Sequence, residues 1–172
     1  MKEVHELFIE HCWWAYECWQ MHELMCDYEA NDPEGIWARM GIILHEYTVL
    51  QIAKINDPAE SGGDSNLSLE YFVNHYAPTK RFKSLYENFR TQNREFIEAI
   101  RTSRHKSVTH SDLATIKSGV SVGSFPEGED KNYFDSLHKT ITDVLNHKNL
   151  GPFTEWPEFI VEDTKQFMKK MG

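Results

Sequence analysis

Val4, Leu7, Phe8, His11, Trp14, Ala15, Cys18, Met21, Met25 and Tyr28 recur at steps of three and four, which predicts one long amphipathic helix over residues 3–30. Asn31-Asp32-Pro33-Glu34 breaks that pattern and restarts it. Asp32 suits an N-cap and Pro33 the first helical position, so a second helix is expected from Pro33 through Trp37, Met40, Leu44, Tyr47 and Leu50 to Ile55. Asn56-Asp57-Pro58 stops it, and Ala59 to Ser65 reads as a flexible loop by composition. A short helix follows from Leu67 to Tyr76, ended by Ala77-Pro78.

A longer helix follows. Phe82, Leu85, Tyr86, Phe89, Phe96, Ile97 and Ile100 keep helical spacing up to about Thr102 and predict a single helix. Residues 117–130 are rich in Gly, Ser and Pro and allow at most a small hairpin. Two more helices are expected at Tyr133–His147 and Pro157–Met171. The sum is an all-α bundle of five to six helices with an irregular loop or small hairpin before the penultimate helix.

A length of 172 residues fits one domain spanning 1–172, and 40% hydrophobic with 26% charged residues excludes a disordered or collagen-like chain. No apolar run nears the roughly 20 residues of a membrane span, and Met1-Lys2-Glu3-Val4 lacks the layout of a signal peptide. The expected location is cytoplasmic, without membrane contact. Cys12, Cys18 and Cys26 are an odd number at spacings unsuited to a disulfide framework, so reduced thiols are expected. Cys18, His22 and Cys26 fall near one helical stripe, but two turns spread them over about 12 Å, too far for one metal ion. Buried packing is the reading adopted, with no metal and no cofactor.

Charge changes the picture more by position than by amount. Residues 1–79 carry −11, residues 80–106 carry +5 and residues 107–172 carry −3, within a net charge of −9. An acidic chain with one basic island is not built to coat nucleic acid at large, DNA included, but can present a focused anion site. When 100° is counted per residue, Lys83, Arg90, Arg94 and Arg101 lie within about 20° of one line. They would follow a phosphate backbone for about 27 Å, although Glu87 and Glu98 could pair with Lys83 and Arg94 instead. The island ends in Arg104-His105-Lys106-Ser107-Val108-Thr109-His110-Ser111-Asp112. Imidazole exchanges protons near neutral pH and guanidinium stabilises charge on phosphate oxygens, so this run suits phosphoryl chemistry without a metal.

That run resembles the signature of the HEPN superfamily, an Arg followed after four to six residues by His, with a polar residue next to the Arg. Arg104 and His110 have five residues between them, and His105 stands in the polar place. Leu50-Gln51-Ile52-Ala53-Lys54-Ile55-Asn56-Asp57-Pro58, Asn66-Leu67-Ser68-Leu69 and His110-Ser111-Asp112 are similar to the AbiU-type, abortive-infection branch of that superfamily. Thr109 departs from it, since the residue before the His is commonly Ala. Arg39 and His45 also have the signature's spacing, but inside a regular helix they are 240° apart and point away from each other.

The resemblance implies a HEPN-like helical domain and a metal-independent endoribonuclease acting as a toxin or anti-phage effector. In it Arg104 would stabilise charge and His110 act as general acid or base while a ribose 2′-hydroxyl attacks the adjacent phosphate. His105 and Lys106, with Lys83, Arg90, Arg94 and Arg101, would contact the RNA. It further implies a homodimer with two motifs facing one cleft, and an antitoxin protein as a partner. The alternative is a non-catalytic dimeric module that binds RNA, a nucleotide or a partner protein.

Overall fold

The computed structural model describes residues 3–29, 35–108 and 126–171. Among these, seven α-helices follow in the order α1 (Val4–Glu29), α2 (Ile36–Ile55), α3 (Leu69–Tyr76), α4 (Lys80–Gln92), α5 (Arg94–Ser103), α6 (Glu129–Lys148) and α7 (Phe159–Met171). A π-helical turn, Arg104–Val108, continues α5, and a two-residue hairpin of β1 (Glu60–Ser61) and β2 (Asp64–Ser65) sits between α2 and α3. The expected all-α bundle is present.

Three local differences from the sequence reading have physical causes. The helix expected over 82–102 is two helices, broken at Asn93, whose backbone leaves helical geometry at φ −104° and ψ 19°. Asn93 makes the break self-sufficient: its side-chain amide donates to the Phe89 carbonyl at 2.8 Å and to Ser136 Oγ at 2.9 Å. Its own carbonyl accepts from Ile97 at 2.9 Å and so starts α5. The apolar period runs unbroken across it because Phe82, Tyr86, Phe89, Phe96, Ile97 and Ile100 are all buried.

The expected loop at 59–65 is a hairpin instead. Gly62 and Gly63 adopt φ 62° and 94°, the pair of positive values that a tight two-residue turn demands and that glycine meets without strain. The sixth helix starts a turn earlier than expected, at Glu129, where two acidic residues in its first turn suit the positive end of the helix dipole. Residues 117–125 of the irregular segment ahead of it and the Asp32-Pro33 cap lie outside the described residues.

Phe8, Cys12, Ala15, Val49, Ile52, Leu69, Phe72, Tyr133, Leu137 and Ile141 belong to one continuous core. Helix α2 enters it only with its second half: Val49, Ile52, Ala53 and Ile55 are buried while Tyr47 of the expected face stays exposed. The first helix uses a second face as well. Trp13, Tyr16 and Trp19 meet Phe134, Phe153 and Trp156, with Tyr16 stacked on Trp156 at 4.7 Å and Trp19 on Phe134 at 4.8 Å. Trp19 Nε1 also donates to Asp130 at 2.9 Å, tying α1 to the start of α6.

Candidate functional site

The end of α2 organises the site. Asn56 leaves the helix at φ −101° and ψ 5°, and Pro58 forbids its continuation. Both side-chain amide protons of Asn56 are used inside the core, one on the Ile52 carbonyl at 2.8 Å and one on Tyr133 Oη at 2.7 Å. Burial raises the Tyr133 phenol pKa, with the Asn56 bond opposing that shift, so the hydroxyl is neutral at any ordinary pH. The residue is thereby fixed with its backbone carbonyl turned out of the helix ladder, and Arg101 Nη2 donates to that carbonyl at 3.0 Å.

Asp57 follows at the edge of the bundle. Arg104 Nη1 donates to both of its carboxylate oxygens, at 2.8 and 3.1 Å. About a third of each side chain is open to solvent, 36% for Arg104 and 27% for Asp57. An ion pair so placed contributes about 0–1 kcal/mol to stability.

A second set of bonds holds the same turn from the other side. Asn66 Nδ2 donates to the Pro58 carbonyl at 2.7 Å, the Asn66 N–H donates to the Ala59 carbonyl at 2.8 Å, and the Ala59 N–H donates to Glu70 Oε2 at 3.0 Å. Ser68 is buried and caps α3 by accepting from the Tyr71 N–H at 3.3 Å. The stretches 50–58 and 66–69 therefore meet each other and the start of the Arg104 motif in one corner of the bundle. What stood as separate sequence features is one constellation.

Arg104 opens the π turn, and His105 and Lys106 are exposed on it. Arg101 lies one turn earlier on α5, so two guanidinium groups address the consecutive residues Asn56 and Asp57. His110 lies outside the described residues, and the Arg104–His110 geometry with it. The four-residue basic stripe is corrected by the break at Asn93: Lys83 and Arg90 belong to α4, Arg94 and Arg101 to α5, and one angular register does not span both. Arg90 lies over the ring of Tyr86 at 5.9 Å, and Arg94 borders a small polar hollow with Thr91, Gln92, Glu95 and Glu129. Of the expected substrate-binding residues, His105 and Lys106 share the π turn with Arg104, and Arg94 and Arg101 are on α5, Arg101 next to the turn and Arg94 at the far end of the helix.

In the second Arg/His pair the histidine is engaged elsewhere. Arg39 is exposed on α2, and His45 Nδ1 lies 3.3 Å from His22 Nε2. Burial, followed by the charge of His45, pulls the His22 pKa down to about 4. Cys18 is buried, and its thiol is pushed up to about 11 by burial and then by Glu17; the Cys26 side chain lies outside the described residues. Among the described residues no group of three or more His, Cys, Asp or Glu is placed to hold a metal ion, and no helix is long and apolar enough to cross a membrane.

Asp57 and Asn66 are the residues whose part in the site the sequence did not reveal. Both stand in the stretches that carry the AbiU-type resemblance, and an acidic residue just past a helix end, opposite a basic island, was the available signal.

A helical bundle that gathers these three stretches around a part-exposed arginine has the architecture of a HEPN-like domain. The family model described as AbiU2, a HEPN family, matches residues 2–167, and the chain belongs to that family, a HEPN domain related to abortive infection. Comparison with curated proteins and with solved structures found no match.

Proposed function

We propose that the protein is a metal-independent endoribonuclease that acts as a toxin or anti-phage effector in abortive infection. The observation that carries this reading is the convergence of Arg104 with residues 56–58 and 66–69 in a chain of the AbiU2 family. Arg104 gathers the charge that builds on a scissile phosphate, and His110 moves the proton of the attacking 2′-hydroxyl or of the leaving oxygen. Arg101, His105 and Lys106 attract and hold the neighbouring phosphates.

The working unit in this reading is a homodimer in the cytoplasm that brings two motifs to one groove, with an antitoxin protein as the natural restraint. Ile36, Ile42, Ile43 and Tyr47 of α2 and Trp14 of α1 are exposed and supply apolar surface for such contacts. A non-catalytic dimeric module that binds RNA, a nucleotide or a protein is the second reading, favoured by the carboxylate that already sits on Arg104.

Purified protein incubated with cellular RNA in excess EDTA separates the two. Cleavage is expected in the parent and is lost in Arg104→Ala and in His110→Ala, while the pair Arg39→Ala with His45→Ala retains it. Cleavage that persists in both motif variants, or that needs an added divalent ion, contradicts the proposal. Co-expressing the Arg104→Ala and His110→Ala chains should restore part of the activity if residues of two chains serve one phosphate. A strictly monomeric yet active protein would exclude the shared groove.

A further inference from the structure

We infer that Asp57 is a positioning residue for Arg104, one that sets the direction of the guanidinium before RNA arrives. The inference rests on the ribonuclease reading for its kinetic consequence but on geometry alone for the contact. Arginine carries a long, rotamer-rich side chain, and holding its guanidinium in one direction at a part-exposed position takes a fixed partner. Asp57 is that partner, accepting from Arg104 Nη1 with both carboxylate oxygens, at 2.8 and 3.1 Å.

The carboxylate is itself held. On one side the Asn56 amide is anchored to Ile52 and Tyr133 in the core, and on the other Asn66 grips the Pro58 carbonyl at 2.7 Å. The turn that bears Asp57 is therefore fixed from both flanks, and Arg101 adds a bond from α5 to Asn56 at 3.0 Å. Such a clamp orients a cation at the cost of partly neutralising it, and the remaining attraction for phosphate falls to Arg101 and Lys106 of the same segment.

The exposure of the pair makes the inference separable from a structural role. A pair a third open to solvent adds little to folding stability, whereas misplacing a catalytic cation by about 1 Å can lower turnover on the order of 10²-fold. Asp57→Asn keeps the shape and removes the charge; Asp57→Glu keeps the charge on a longer arm. Expected for Asp57→Asn are an unchanged melting midpoint, a KM within about threefold of the parent and a kcat lower by roughly 10- to 100-fold. Asp57→Glu should recover part of that loss, and Asp143→Asn, which breaks the exposed Lys139–Asp143 pair of 3.1 Å, should match the parent.

The Nη1–Hη resonances of Arg104 in the purified protein test the contact without any substrate. They should be slow to exchange and sharply dispersed in the parent, and shift and exchange faster in Asp57→Asn. A parent that cleaves no RNA but shows that spectral change would leave the positioning contact standing and sink the ribonuclease reading. An active parent whose Asp57→Asn variant keeps full kcat, or gains activity because the carboxylate had been competing with phosphate, would overturn the inference itself. So would an Arg104 resonance indifferent to the substitution.

Discussion

The bond between Asn56 and Tyr133 links the core to the candidate site, and its strength is measurable. Tyr133 is fully buried, and its hydroxyl accepts one of two amide protons that Asn56 spends inside the protein. Tyr133→Phe keeps the ring among Phe89, Phe96 and Phe134 but leaves that amide proton facing carbon. A buried donor stranded in this way costs about 1–3 kcal/mol. Asn56→Ala removes the donor instead and strands the Ile52 carbonyl and the hydroxyl, again at about 1–3 kcal/mol for each group stranded. In the Asn56→Ala background the tyrosine substitution has no proton left to strand and also removes the stranded hydroxyl, so the two effects should fall short of adding by about 2 kcal/mol or more. Urea unfolding of the parent, both single variants and the double variant, followed by helical circular dichroism, gives that difference from midpoints at constant slope. A coupling inside the about 0.5 kcal/mol scatter of independent sites would refute the claim that this bond fixes the end of α2.

Stability should also respond to acid. Because the His22 pKa lies at about 4 in the fold and near the ordinary 6.5 when unfolded, the unfolded chain binds more protons between those values. Stability therefore falls as pH drops from about 6.5 to about 4 and is insensitive to this group above that window; His22→Gln should flatten the slope of melting midpoint against pH, and an unchanged slope would contradict the assignment. Burial, followed by the charge of Lys54, lowers the His11 pKa too, so a residual slope of the same sign is expected in that variant. Ser68→Ala, which removes the cap of α3, should cost about 1 kcal/mol in the same urea assay. Ile141→Ala, at a fully buried position of α6, should cost about 2–5 kcal/mol and leave the corner at residues 56–58 intact.

The helices were legible in the sequence because each buries a stripe at a spacing that only a helix provides, and α4 with α5 show both the power and the blind spot of that signal. Phe82 to Ile100 hold their period through Asn93, so nothing in the apolar pattern marks the break; the mark is a side chain that bonds Phe89 and Ser136, a tertiary fact. The second buried face of α1 was hidden for the opposite reason. Trp13, Tyr16 and Trp19 lie off the main stripe, and Phe153 and Trp156, the partners of Trp13 and Tyr16, come from a segment without periodicity. Arg104 was legible as chemistry, whereas Asp57 was legible only as the end of a helix. A contact across 47 residues leaves no local trace beyond opposite charge. The hairpin at 60–65 escaped because its strands are two residues long, too short for alternation to register.

The aromatic cluster also decides what light can report about this molecule. All five tryptophans, Trp13, Trp14, Trp19, Trp37 and Trp156, lie outside residues 56–108, and three of them stand in or beside the ring stack between α1 and the segment before α7. Intrinsic fluorescence is thus weighted towards that stack, with Trp14 beside Tyr47 and Trp37 beside Phe167 reporting on α2. A thermal transition seen in tryptophan emission marks the undocking of the C-terminal segment from α1, and its coincidence with the loss of helical signal is a direct test of whether the bundle unfolds as one unit. The π turn and α5, which carry the corner around Arg104, hold no tryptophan of their own, so a tryptophan placed beside Arg104 would give that corner a local reporter.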